Sequence, residues 1–232
     1  MRATPKLLGI LFAIAFSAPP CLAQEAPRWQ AEFDNFDKQD AQDPPPKDAI
    51  LFLGSSSIRF WKTSDAFPDL KTINRGFGGS FVSDSVENFD RLATRYHPKT
   101  IVFYAGDNDI GSGKTADQVF DDYKALVALV KKDLPETRLI YISIKPSILR
   151  WNLIEEVRKA NALIKEFSEH EDNVTFLDVD APMLGDDDKP RPSLFIKDGL
   201  HLNDEGYALW NKLLRPLLDS PPTNRRAFNF KL

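Results

Sequence analysis

Three histidines are available to this chain, and their neighbours differ. His97 falls between a helix end and Pro98, just ahead of a strand, which places it at the far end of a sheet from any ligand-side loop. His170 sits between Glu169 and Glu171 at the end of a helical stretch, where a histidine reads as a surface cation favoured by the helix dipole. His201 lies in Lys197-Asp198-Gly199-Leu200-His201-Leu202-Asn203, with an aspartate three residues earlier. Asp198 can bond the ring Nδ1 and fix the tautomer, leaving Nε2 free to take a proton from a serine. The same residues also read as ordinary loop polars beside an Asn203 helix cap. A serine is at hand in Ile50-Leu51-Phe52-Leu53-Gly54-Ser55-Ser56-Ser57-Ile58. An apolar strand entering a glycine turn and then a helix can lift a hydroxyl into a cleft and aim free N–H groups beside it, which suits either a nucleophile or an anion.

Two further loops could serve developing negative charge. Asn74-Arg75-Gly76-Phe77-Gly78-Gly79-Ser80 has glycines that let successive N–H groups approach an oxyanion or phosphate, though a plain strand-to-helix turn has the same composition. Tyr104-Ala105-Gly106-Asp107-Asn108-Asp109 places an uncharged amide donor, Asn108, at a strand end. Asp107, Asp109 and the run Asp186-Asp187-Asp188 are oxygen donors, but they follow no metal-loop pattern, so no metal is expected.

Five apolar runs can carry these loops: 50–53, a weaker one at 71–74, 100–104, 139–144 and 174–179. Helical stripes alternate with them, through Val82, Val86, Phe89, Leu92 and Tyr96, then Ala116 to Val130, then Leu153 to Phe167, and last Tyr207 to Leu217, where Pro216 must kink or end the helix. Alternation of this kind predicts a parallel sheet with helices on both faces and ligands beyond the carboxyl ends of the strands. Each unusual loop follows a strand. Phe77, Phe81, Ile148, Leu149, Trp151 and Phe195, with Lys145, Arg150 and Arg191, sit in or beside these loops, a mixture that admits a short acyl chain next to a polar or anionic alcohol.

The ends of the chain read differently. Arg2 and Lys6, an apolar run over 7–16 and the small residues before Ala23 form a secretory signal peptide over 1–23, so a periplasmic or secreted location is expected. Cleavage near Ala23 removes two cations and no acid, moving net charge from -4 to -6, and removes Cys21, the single cysteine. The mature chain then has no thiol for catalysis or metal binding, no basic excess to suggest nucleic acid, and no run of transmembrane length. Residues 24–47 read as an amphipathic helix, with Trp29, Phe33 and Phe36 on one face, ended by Pro44-Pro45-Pro46. Residues 48–218 form the main domain and 219–232 a proline-bearing basic tail.

Taken in order, the four blocks resemble those of the SGNH hydrolases, the GDSL esterase and lipase family, and most of all their bacterial branch of platelet-activating-factor acetylhydrolase type. Gly54-Ser55-Ser56-Ser57-Ile58 matches the G-D-S-L block, Gly79 the oxyanion glycine, Gly106-x-Asn108-Asp109 the G-x-N-D block, and Asp198-x-x-His201 the last block. The resemblance implies a flavodoxin-like three-layer α/β/α sandwich with a five-stranded parallel sheet, and a carboxylic ester hydrolase acting on a small-molecule ester without a cofactor. It implies Ser56, Asp198 and His201 as catalytic residues, and Ser56, Gly79 and Asn108 as the oxyanion hole. The family's Asp is Ser55 here, which loosens the choice among Ser55, Ser56 and Ser57. Spacing from Gly54 favours Ser56. Two other classes compete: a non-catalytic sugar- or lipid-binding module on the same fold, and a flavodoxin-like flavin binder using the serine-rich turn as a phosphate cradle.

Overall fold

The structure is a computed structural model that describes residues 28–220. The expected signal peptide, its cleavage point and the tail from 221 onward lie outside the described residues. Five strands, β1 (Ile50–Gly54), β2 (Thr72–Gly76), β3 (Thr100–Tyr104), β4 (Arg138–Ile142) and β5 (Val174–Leu177), form one sheet in the order β2-β1-β3-β4-β5. Every pairing is parallel.

Side-chain alternation along the strands divides the core into two layers. Leu51, Leu53, Ile73, Ile101, Phe103, Leu139 and Tyr141 point to one face; Ile50, Phe52, Val102, Tyr104, Ile140 and Ile142 point to the other. The first face is covered by helices α1 (Gln30–Gln42), α4 (Val82–Glu87), α5 (Phe89–Leu92), α7 (Ala116–Asp133) and α8 (Ile154–Glu169). The second is covered by α2 (Ser56–Arg59), α3 (Thr63–Ala66) and α9 (Asp204–Asp219). A further short helix, α6 (Asp107–Gly111), follows β3. Burial on both faces explains why the strands read as continuous apolar runs. Each fully buried aliphatic or aromatic side chain stabilises the fold by roughly 1.5–3 kcal/mol.

Three local features depart from the periodicity. The stripe from Val82 to Tyr96 is not one helix: Asn88, at φ -110° and ψ 20°, breaks it into α4 and α5, followed by a 3-10 turn at Thr94–Tyr96. Pro216 does not end α9, which runs on to Asp219. The weak strand candidate at 71–74 is a true strand at the sheet edge, two residues longer at its carboxyl end.

The segment α1 packs as expected of its apolar face. Phe33 is buried against Phe77 at 5.6 Å between centroids, and Trp29 meets the same ring edge-on at 5.2 Å. Polar ties fasten the other side. Asp37 pairs with Arg91 and Arg95, and Asp40 pairs with Arg75 on β2, whose Nε donates to Tyr96 Oη at 2.8 Å.

Candidate active site

The register of the sheet brings the loops together. Gly54 pairs with Gly76 on one side and Tyr104 on the other, so the chain leaves β1, β2 and β3 at one height on adjacent strands. Gly54 has φ +134°, and a Cβ there would overlap the Tyr104 carbonyl, so only glycine makes this turn. Ser55 N–H donates to that carbonyl at 2.9 Å, and Phe77 N–H donates to Gly54 O at 2.9 Å. Gly76 is equally confined, since its Cβ would strike the backbone of Arg59 in α2.

This turn places the three hydroxyls differently. Ser55 and Ser57 are buried, and their Oγ atoms have no partner among the described residues. Ser56 alone is partly exposed, and His201 Nε2 lies 3.0 Å from its Oγ. His201 Nδ1 lies 2.6 Å from Asp198 Oδ2. Asp198 Oδ1 accepts the N–H groups of Leu200 and His201 at 2.8 and 2.9 Å, which fixes the carboxylate against the ring. Desolvation pushes the Asp198 pKa up, but the bonds from His201 and from the Leu200 N–H outweigh it and pull the value down to about 2. The carboxylate is thus charged at any working pH. Phe60 stands edge-on to His201 at 5.2 Å between centroids. The loop is anchored by Asn203, whose Oδ1 caps α9 through Gly206 N–H at 3.0 Å while its Nδ2 donates to Ser193 O and Phe195 O. Asn203 is therefore a cap, as its sequence context suggested, while Asp198 and His201 bond each other and His201 reaches Ser56. A hydroxyl, imidazole and carboxylate in line can make the hydroxyl a nucleophile.

The other two loops supply donors. Gly79 takes φ +75° on an exposed turn. Among the described residues, the backbone N–H groups of Ser56 and Gly79 donate to no protein acceptor. Asn108 Nδ2 donates to Ser80 O at 3.1 Å, which ties the G-x-N-D loop to the glycine loop and leaves one amide proton over. Its Oδ1 accepts Arg150 Nη2 at 3.1 Å.

The flanking acids are paired with cations. Asp107 Oδ2 lies 2.9 Å from Lys145 Nζ and 3.3 Å from Arg150 Nη1. Burial pushes its pKa up, yet the two cations outweigh that and leave it below the ordinary value. Asp109, wholly buried, accepts Val82 N–H and Lys114 Nζ; burial dominates there and raises its pKa to about 6. Residues 186–188 are remote in role, on a turn closed by the Gly185–Lys189 backbone bond.

Several loop residues do other work than their sequence position suggested. Lys145 is buried on Asp107 and Tyr104 Oη, and Arg191 Nη2 donates to Pro182 O, so neither is presented to an anionic alcohol. Phe77 and Phe195 are buried. Exposed large apolar side chains among the described residues are Phe60, Ile148, Leu149 and Ile196. Ile196 joins two depressions: a groove of about 600 Å³ shared with Phe60 and His201, and a shallower one shared with Ile148, Leu149 and Asp198. Phe60 and Ile196 carried no motif signal. His97 is exposed ahead of β3 and His170 Nδ1 bonds Glu166 O at 2.8 Å on the end of α8, both away from this cluster as their contexts indicated.

Comparison with known proteins agrees with the fold and with the family that the sequence resembles. The model of the GDSL-like Lipase/Acylhydrolase family matches residues 59–209, and the chain belongs to that family. It is accordingly a carboxylic ester hydrolase, which sets aside the flavin-binding and non-catalytic readings. The match begins just after the serine turn, so the choice of Ser56 rests on the geometry above. Among curated relatives, platelet-activating factor acetylhydrolase IB subunit alpha2 of Gallus gallus is 28% identical over 213 residues, covering 86% of this chain and 89% of its own length. Subunit alpha1 of the Homo sapiens protein is 28% identical over 199 residues, covering 82% and 83%. A GDSL-like lipase from Bacteroides thetaiotaomicron superposes with a TM-score of 0.71 at 20% identity, over 82% of this chain and 98% of its own; at that identity the likeness is one of fold.

Proposed function

We propose that this chain is an exported serine esterase that cleaves small or short-chain acyl esters through Ser56, His201 and Asp198. The observation that carries the reading is the unbroken line from Ser56 Oγ to His201 Nε2 and from His201 Nδ1 to Asp198 Oδ2. Ser56 Oγ attacks the ester carbonyl while His201 Nε2 takes its proton. The tetrahedral oxyanion is held by the N–H of Ser56, the N–H of Gly79 and the spare amide proton of Asn108. His201 returns the proton to the leaving alcohol, and water attacking the acyl-Ser56 ester repeats the cycle with a second oxyanion. Asp198 stays ionised throughout and stabilises the imidazolium. A small acyl group is supported by the acetylhydrolase names of the relatives.

Ser56→Ala tests the reading on p-nitrophenyl acetate. It should lower kcat at least a thousandfold and abolish labelling by a fluorophosphonate; a variant within tenfold of the parent enzyme would reject the assignment. Chain-length preference follows from the ratio of kcat/KM for acetate and octanoate esters, and preference for octanoate would overturn the short-acyl reading. Export is supported by the composition of 1–23. Mass spectrometry of the protein recovered from the periplasm or medium should find Gln24 at the amino terminus. Recovery of the unprocessed chain in the cytoplasm alone would refute it.

A further inference from the structure

Asn108 is a flexible amide asked to present one proton in a fixed direction. Its Nδ2 is tied on one side by Ser80 O at 3.1 Å, which leaves rotation about its χ torsions only partly restrained. The second tie comes from Arg150, in the loop after β4, whose Nη2 donates to Asn108 Oδ1 at 3.1 Å. Arg150 is itself held. Its Nη1 lies 3.3 Å from Asp107 Oδ2, and Asp107 is locked by Lys145, whose Nζ also donates to Tyr104 Oη at 3.0 Å. Room for the guanidinium is left by Gly111 at the end of α6: a Cβ there would come within 2.7 Å of Arg150 Nε and 2.8 Å of Cζ. Lys145 and Asp107 are nearly inaccessible and Arg150 is only one-fifth exposed, which limits where the guanidinium can move.

We infer that Arg150 is a positioning residue of the oxyanion hole, orienting the Asn108 amide through a guanidinium bridged to Asp107. A planar fork can bond the amide oxygen through Nη2 while Nη1, which makes no hydrogen bond of its own, stays ion-paired with the carboxylate; a lysine ammonium at this distance serves one or the other. Without the fork, Asn108 Nδ2 spends more time away from the oxyanion, and the loss appears in the transition state rather than in ground-state binding. The inference rests on the reading of Asn108 as an oxyanion donor.

The test is a cycle of Arg150→Ala and Asn108→Ala on p-nitrophenyl acetate, a neutral ester that offers Arg150 no anion. Arg150→Ala should lower kcat about ten- to a hundredfold with KM changed less than about twofold. In the Asn108→Ala background the same change should alter kcat less than about twofold, because the group it positions is gone. Arg150→Lys should fall between. Gly111→Ala keeps the charge and displaces the guanidinium, so it should reproduce part of the loss and serves if Arg150→Ala does not fold. Equal losses in the two backgrounds, or a rise in KM with kcat intact, would overturn the inference. An Asn108→Ala loss below about tenfold would instead overturn the oxyanion reading on which it stands.

Discussion

Replacing Asp198 by asparagine separates the catalytic role proposed for this carboxylate from its contribution to stability. Asparagine has the same shape, and its carbonyl oxygen can still accept the Leu200 and His201 N–H groups now bound by Oδ1. Its amide nitrogen then faces His201 Nδ1 in place of Oδ2, 2.6 Å away in the parent protein. An N–H donor there demands that Nδ1 be an acceptor, so the ring proton moves to Nε2 and points at Ser56 Oγ. In that tautomer the imidazole cannot take the serine's proton. The expected loss in kcat is about a thousand- to ten-thousandfold, or about 4–5.5 kcal/mol. Stability should change far less. A carboxyl held at about 2 rather than near 3.9 would be worth about 2.6 kcal/mol if wholly buried. The side chain is 40% exposed, and solvent screening reduces this to about 1 kcal/mol or less. The folded value lies below the unfolded one, so this stabilisation is present above about pH 4 and is lost as pH falls towards 2. Steady-state kinetics on p-nitrophenyl acetate, with thermal melts of both proteins at pH 7, measure the two effects. Loss of less than tenfold in kcat with an unchanged melt would refute the tautomer argument; a melt lowered in step with activity would refute the separation.

Three other perturbations follow from the packing. Gly54→Ala forces a Cβ onto the Tyr104 carbonyl at φ +134° and should destabilise the fold by at least about 3 kcal/mol; an unchanged urea midpoint would mean the turn is not built this way. Phe33→Ala should cost about 3–5 kcal/mol, showing that α1 belongs to the core, and a cost under 1 kcal/mol would make it an appendage. Asp109, raised by burial to about 6, holds its proton more tightly folded than unfolded. The stability it contributes is therefore present below about pH 4 and lost as pH rises through 6, so the parent's advantage over Asp109→Asn should shrink by at most about 3 kcal/mol between pH 4 and 7. A pH-independent difference would contradict the assignment.

Much of the fold was legible because parallel strands buried on both faces are apolar without interruption, as in 100–104. Of the two edge strands, 71–74 was the harder, since it holds polar residues that the sheet edge tolerates; β5, half-buried along its length, was read at 174–179 and ends at Leu177. The break at Asn88 leaves no mark in the apolar spacing, since α5 continues on the same face of the core. The site blocks were legible for a related reason. Gly54 and Gly76 are glycines because neighbouring backbone leaves no room for a Cβ, and a missing side chain is visible in sequence.

What the sequence determined by itself was the set of chemical types: a hydroxyl after a glycine turn, a D-x-x-H, an amide and a glycine loop, each at a strand end. Local spacing could do no more than favour Ser56, because adjacent hydroxyls differ only in direction. Tertiary structure separates them, burying Ser55 and Ser57 and setting Ser56 within 3.0 Å of His201, a residue 145 positions away. It likewise withdrew Lys145 and Arg191 from the cleft and turned Arg150 onto Asn108. A cation's partner depends on which carboxylate or carbonyl the fold brings within about 3 Å, and that distance is set by packing between elements that the linear order keeps far apart.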